Sequence, residues 1–249
     1  MLRAATTLLS FTIAVLIGAS PLRSQEAIMP AQPILAIDAS MHTAPIRAIA
    51  ADASCALVAT ASDDKSVRLW RTPEARLLDT VRLSIGAGNN GKMFAVAVAP
   101  DASWLAAGGW TITGGEHYVY VLQTAAGTVA ARFGPYKEVI SKLAASPDGR
   151  YLAAALMHGQ GVRVWQRTGP DLSSWRLIRD DRNFSGQDAT GLAFDRDGTL
   201  YTVSLDHKLR RYKLDSTEPP LSVTTAGSAF PSSVARLPAL RPYRHWLSG

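Results

Sequence analysis

The residues of this chain that could do chemistry are few and far apart. Cys55 is the one cysteine, so neither an intrachain disulfide nor a thiolate metal cluster can form. A cysteine nucleophile needs a nearby histidine base, and the sequence implies none beside Cys55. His158 precedes a glycine, but it falls in an expected turn between two strands, which favours a loop histidine over a catalytic one. The sequence also lacks the Gly-x-Ser-x-Gly elbow of many serine hydrolases.

Two loops have the composition of ligand sites but not the spacing. The glycine-rich stretch 85–92 ends on Lys92, and Met93 stands where a phosphate-binding loop needs Ser or Thr. Asp195 and Asp197 begin like a calcium loop, but the third acidic position and the distal glutamate are missing. We therefore predict no catalytic residue, no metal ligand and no cofactor at these loops, which instead connect strands.

Composition favours a globular protein without a nucleic-acid function. Hydrophobic residues make up 47% and charged residues 18%, which excludes wholesale disorder. The formal charge is +6, but the basic residues are spread singly and form no stripe or known nucleic-acid motif. The charge therefore gives no reason to expect a nucleic-acid partner.

The N-terminus has the pattern of a signal peptide, assigned to residues 1–27. Arg3 is followed by an apolar run over 4–19 and then by small residues. The run is shorter than the roughly 20 residues that span a bilayer. We expect cleavage after Ala19 or Ala27, a periplasmic or secreted product, and no membrane attachment after cleavage. The alternative is an uncleaved N-terminal anchor.

A repeat of about 48 residues organises the rest of the chain. An alternating strand, a turn and a small apolar strand recur four times, and a third strand and a more exposed fourth strand follow each time. The turns carry aspartates spaced 49, 47 and 49 residues apart, namely Asp52, Asp101, Asp148 and Asp197. Helical spacing does not run through the repeats.

Four antiparallel strands in about 48 residues make one blade of a β-propeller. The sequence therefore predicts an all-β fold with four four-stranded blades over 33–223, and an irregular tail over 224–249. The expected blades are residues 33–83, 84–133, 134–181 and 182–223. The Ala- and Gly-rich second strands suit the crowded middle of a blade, and a bulky residue ending the third strand fills the gap between blades.

The amino-acid sequence of the repeats resembles that of the WD40 family. Residues 61–70 look like the end of a WD40 repeat, 146–154 look like its inner half, and Met41-His42 stands where the family has Gly-His. The resemblance covers about 33–214 and is closest to exported bacterial WD40 proteins, some of which carry a caspase-like domain. It implies a buried blade network of His42, Ser62 (or Thr60), Asp64 and Trp70. Arg71 departs from the family, which has Asp after this Trp.

The resemblance also bears on ring closure. WD40 rings usually have about seven blades, and 33–38 matches the strand that closes such a ring. With four repeats and an irregular tail, we expect an open or truncated part of a larger ring, whose missing blades a longer full-length chain supplies. The alternative is a four-blade ring with an irregular tail.

The repeats and the lack of a catalytic set predict an exported, non-catalytic scaffold that binds a protein partner through loops. The candidate partner-binding loop contains Trp110, Glu116 and His117. One alternative is a propeller-type enzyme, a lactonase or quinone-dependent dehydrogenase, with a channel metal site drawn from similar turns of the four blades. That site would use Asp64, His117, His158 and His207. Another alternative is the regulatory domain of a caspase-like protease.

Overall fold

The computed structural model describes residues 40–224, which form seventeen β-strands and no helix. The strands hydrogen-bond into four antiparallel sheets that follow one another along the chain. The expected signal peptide, the strand at 33–38 and nearly all of the expected tail lie outside the described residues. The all-β, four-blade prediction is confirmed.

Each sheet contains four strands that pair in chain order, and the second sheet has one more. The first sheet holds β1 (Ile46–Ala51), β2 (Leu57–Ser62), β3 (Val67–Arg71) and β4 (Arg76–Val81). The second holds β5 (Met93–Val98), β6 (Trp104–Gly109), the two-residue β7 (Ile112–Thr113), β8 (Glu116–Gln123) and β9 (Thr128–Tyr136). The third holds β10 (Ile140–Ala145), β11 (Tyr151–Leu156), β12 (Gly161–Arg167) and β13 (Trp175–Asp181). The fourth holds β14 (Ala189–Phe194), β15 (Leu200–Ser204), β16 (Lys208–Tyr212) and β17 (Leu221–Thr224).

The turns between the first two strands of the four blades begin alike, with the N–H of the fourth residue donating to the carbonyl of the first. The turn of the fourth blade then closes one residue earlier than the others, by a bond from the N–H of Asp195 to the carbonyl of Thr199. The fourth turn residue has a positive φ in every blade, at Cys55, Ala102, Gly149 and Gly198. Matched in this way, Ser54 and not Asp52 is equivalent to the other turn aspartates. The first turn of the sequence alignment was therefore wrong by two residues, and the true repeat distances are 47, 47 and 49. Asp52 opens its turn, where its carboxylate accepts a 2.7 Å hydrogen bond from the N–H of Leu57.

Three apolar clusters hold neighbouring blades together. In each cluster, one face of a blade packs on the opposite face of the next, and small alanines of the second strands let the sheets approach closely. The bulky residue near the end of the third strand points to the preceding blade. Across the second and third blades, Phe133 of β9 stacks on Trp165 of β12 with ring centroids 4.5 Å apart. Such an offset aromatic pair adds roughly 0.5–1.5 kcal/mol beyond the burial of its area.

Three arginines in third strands, Arg68, Arg163 and Arg210, are buried, and the last two each pair with an aspartate of their own blade. The Nε of Arg163 lies 3.0 Å from Asp180, and its guanidinium lies over the ring of Tyr136. Arg210 pairs with Asp206 and lies 4.1 Å above the ring of Phe184. Burying a cation is costly unless it is paired and hydrogen-bonded. These partners make the buried positions tolerable.

The first strands of the four sheets lie side by side in the order β1, β5, β10 and β14. They line a central channel, as the inner strands of a propeller do. In residues 40–224 the four blades form an arc that is not closed into a ring.

Candidate interaction face at the channel mouth

The network implied by the family resemblance assembles in the first blade around Thr60. The ring of His42 lies 2.8 Å from the carboxylate of Asp64 and 2.7 Å from the hydroxyl of Thr60. The indole Nε1–H of Trp70 donates to the same hydroxyl at 2.8 Å. Ser62 lies beside this chain of contacts: its hydroxyl donates to the carbonyl of Ala44 and accepts from the N–H of Asp64. Thr60, the second candidate, is therefore the residue that links His42 to Trp70.

Asp64 is the charged member of this network. Burial alone would raise its pKa, but hydrogen bonds from Ser66 and His42 and from the backbone N–H of Thr43 lower the pKa overall. The carboxylate is therefore held in its charged form, and it fixes the turn between β2 and β3.

The loop expected to bind a partner is a small hairpin made by β7 and the start of β8. Its members do not form one exposed patch. His117 is only 5% exposed, and Trp110 lies half-buried edge-on to its ring, with centroids 5.6 Å apart. Burial lowers the pKa of His117, which favours the neutral ring. His117 is thus largely buried, whereas Glu116 stays partly accessible, and contact of this loop with a partner stays a prediction.

A cavity of about 410 Å³ opens at the mouth of the channel, and all four blades line it. One lining residue per blade occupies an equivalent place, directly after the first residue of the inner strand. These residues are Arg47, Phe94, Ser141 and Thr190. The strand register shifts at each of these residues, so each is the extra residue of a β-bulge. A bulge re-aims a side chain and is common beside functional sites.

The sequence spacing of these four bulge residues is 47, 47 and 49, the same as that of the turns. Sequence reasoning missed them because the alternating pattern of a strand does not reveal a bulge. An alignment of the repeats on the corrected turns would have shown that the four bulge residues hold equivalent positions. The four residues are of different types, so the same β-bulge in each blade points a different side chain at the cavity.

Charge at the mouth comes mainly from Arg47, Lys142 and Asp188, and Arg47 is paired with the neighbouring Asp63. Arg47 donates through Nε to Asp63 at 2.9 Å, and its guanidinium lies 5.5 Å from the centre of the Phe94 ring. Lys142 is exposed and forms no ion pair within residues 40–224. Asp188 accepts a 3.0 Å hydrogen bond from the N–H of Gly159. The mouth therefore combines a fixed cation, an unpaired ammonium, an apolar wall of Phe94 and Met157, and a carboxylate.

The four residues of the alternative metal site do not converge. Within residues 40–224, no three histidine, cysteine, aspartate or glutamate side chains are grouped so as to hold a metal ion. His158 instead lies 2.6 Å from Glu138, whose hydrogen bond raises the pKa of the imidazole. Asp64 and His117 serve the blade network and the core. Cys55 is exposed in its turn.

The four antiparallel sheets and their bulge-lined channel mouth have the architecture of β-propeller blades. Residues 37–71 match the WD40 family model, described as WD domain, G-beta repeat. The first described blade is therefore similar to a WD40 repeat. No helix able to cross a membrane is present between residues 40 and 224.

Three curated proteins are similar to this chain over about two thirds of its length. The chain is 27% identical over 159 residues to transcription initiation factor TFIID subunit 5 of Caenorhabditis elegans, covering 64% of this chain and 22% of that protein. It is 26% identical over 174 residues to small ribosomal subunit protein RACK1 of Caenorhabditis elegans, covering 64% and 46%. It is 29% identical over 171 residues to RACK1y of Oryza sativa subsp. japonica, covering 63% and 44%. The chain spans less than half the length of each of these relatives.

Proposed function

We propose that this chain is a non-catalytic scaffold that binds a protein partner at the mouth of its channel. The observation that carries the proposal is the set of four equivalent bulge residues, Arg47, Phe94, Ser141 and Thr190, around one cavity. A rigid sheet scaffold holds these side chains in place, and their types are not those of a catalytic set. Such a surface suits recognition of another protein.

The chemistry of the mouth defines the kind of partner segment. The unpaired ammonium of Lys142 and the remaining donors of Arg47 can bind a carboxylate. Phe94 and Met157 form an apolar wall beside them. The mouth therefore fits a protruding loop or chain end with an acidic residue next to an apolar one.

The place of action is proposed from the N-terminal sequence. A charged start, a short apolar run and small residues at 18–20 support export and cleavage, which would put the scaffold in the periplasm or outside the cell. N-terminal sequencing of the protein from a periplasmic fraction tests this directly. A mature chain starting at residue 20 or 28 is expected, and an intact Met1 in the cytosolic fraction would contradict it.

The binding proposal is tested by charge reversal at the mouth. We expect the double variant Arg47→Glu/Lys142→Glu to lose the proteins that the tagged wild-type chain captures from an extract of the producing cells. The matched control is Arg76→Glu, at an exposed position on the outer strand β4. Equal capture by the wild type and both variants would contradict the proposal, as would equal loss by both variants.

A further inference from the structure

Each end of the arc carries a sheet face on which some apolar side chains are exposed, although the same positions are buried in the other blades. The front face belongs to the first blade and points away from the second; Ile49 is exposed there and Val58 and Trp70 are partly exposed, whereas Thr60 and Arg68 are buried. The rear face belongs to the fourth blade and points away from the third; it contains Tyr201, Val203, Leu209, Leu221 and Val223. Strand register makes the front face equivalent to the faces that the other three blades present to their preceding neighbours.

Matched positions show what is missing at each end. Ile49 is 71% exposed, whereas Val96, at the same register position in the second blade, is 3% exposed because it packs on the first blade. Val223 is 56% exposed, whereas its counterpart Val81 in the first blade is 9% exposed against the second blade. Each end therefore leaves apolar side chains in water that a neighbouring blade covers elsewhere in this fold.

The contact between the second and third blades shows how the two ends would fit. There, Phe133 of an outer strand stacks on Trp165 of the next blade. Val223 holds the position of Phe133, and Trp70 holds the position of Trp165. If a second front face packed on the rear face, Val223 would therefore lie against its Trp70, as Phe133 lies against Trp165.

We propose that two copies of this chain dock head to tail, the rear face of each on the front face of the other, to form a closed ring of eight blades. The two contacts are identical by a twofold axis, so neither face stays exposed. Propellers have about four to eight blades, so two copies are the most that one ring can hold. A second copy of the chain is the favoured partner for each end face, because the front and rear faces correspond to the two surfaces that pack together at each of the three blade contacts inside one chain.

Two residues of the rear face are larger than their internal counterparts: Tyr201 stands where the second blade has the buried Ala106, and Arg211 pairs with Tyr201 across the strands. Arg211 is the charged one of the two. It takes the position that Val121 fills in the second blade, where the side chain is fully buried. An arginine can cover apolar surface with its stem while its charge stays near water. Arg211→Val, which restores the internal residue type, is therefore expected to strengthen the association of the two copies.

The test is the mass of the 249-residue chain in solution, measured by light scattering on a sizing column over a dilution series. The wild type is expected at twice the mass of one chain. Ile49→Asp and Val223→Asp are each expected at the mass of a single chain, because each places a carboxylate in both contacts. A mixture of the two variants keeps one intact contact per pair, so it is expected to recover part of the dimer.

Val129→Asp is the matched control, since Val129 is half-exposed on an outer strand inside the arc. It is expected to remain dimeric, and circular dichroism of all variants separates loss of association from loss of fold. A wild-type chain that is monomeric at every concentration overturns the proposal and points to blades of a different or longer chain as the occupants. Dimers that persist in folded Ile49→Asp and Val223→Asp also overturn it.

Discussion

The indole nitrogen of Trp70 donates a 2.8 Å hydrogen bond to the hydroxyl of Thr60, which also contacts the ring of His42. One threonine hydroxyl thus joins the third strand of the first blade to the segment that precedes its first strand. His42, Trp70 and Asp64 depend on this residue for their arrangement, because it occupies the centre of the network.

Thr60→Val keeps the shape of the side chain but removes the hydroxyl. Because it leaves the half-buried Trp70 N–H and the His42 ring without their partner, we expect a loss of about 1–3 kcal/mol in the free energy of unfolding. Urea unfolding followed by tryptophan fluorescence measures the change. Thr128→Val, at an exposed position on β9, is the control and is expected to change stability little. Equal stability of Thr60→Val and the wild type would show that the network contributes no stability.

Asp64 makes stability depend on pH. Its folded pKa lies below the ordinary value of 3.8, so its charged form stabilises the fold above that value, and this contribution is lost as the pH falls through the folded pKa. Asp64→Asn is therefore expected to be less stable than the wild type at pH 7. The difference is expected to shrink as the pH falls below 3.8 and through the lowered folded pKa, where the wild-type carboxyl takes up its proton. A stability difference that stays constant from pH 7 to pH 2.5 would be inconsistent with this account.

Arg210 and Asp206 form a buried ion pair in the fourth blade. Arg210→Met leaves the carboxylate of Asp206 buried without its cation, and we expect the free energy of unfolding to fall by about 3–5 kcal/mol. Adding Asp206→Ala removes the stranded charge, so the double variant is expected to regain part of that loss. The exposed Arg182, which pairs with Asp180, is the comparison, and Arg182→Met is expected to cost less than about 1 kcal/mol. Urea unfolding measures the stability of each variant. Similar losses of stability in Arg210→Met and Arg182→Met would contradict the expectation that the buried ion pair matters more than the exposed one.

The sequence predicted the fold well because the repeat carries its own signals. Alternation with a period of two, turns at regular distances and a bulky residue ending the third strand placed the strands of all four blades. The error in the first turn has a local cause. Asp52 and Ser54 can both fix this turn by side-chain hydrogen bonds, so the residue type alone did not reveal which position it held.

The site was harder to predict than the fold. The family resemblance supplied the network of His42, Asp64 and Trp70. Ser62 and Thr60 lie two residues apart on one face of β2, so the sequence did not show which hydroxyl meets the His42 ring. His117 was chosen because its hairpin is an insertion, and nothing in the sequence showed that its ring would turn inward against Trp110. Arg47 and Phe94 were missed because a one-residue bulge changes the direction of a side chain without changing the composition of the strand.

The central claim, that a protein partner binds at the channel mouth, is tested most directly by site-specific photo-crosslinking. A photoreactive amino acid is placed at Ser141, a bulge residue of the mouth, and separately at Val129, a half-exposed position on the outer strand β9. The account predicts a cross-linked partner of defined mass from position 141 and none from position 129 in the producing cells. A partner captured from position 129 but not from position 141 would contradict it.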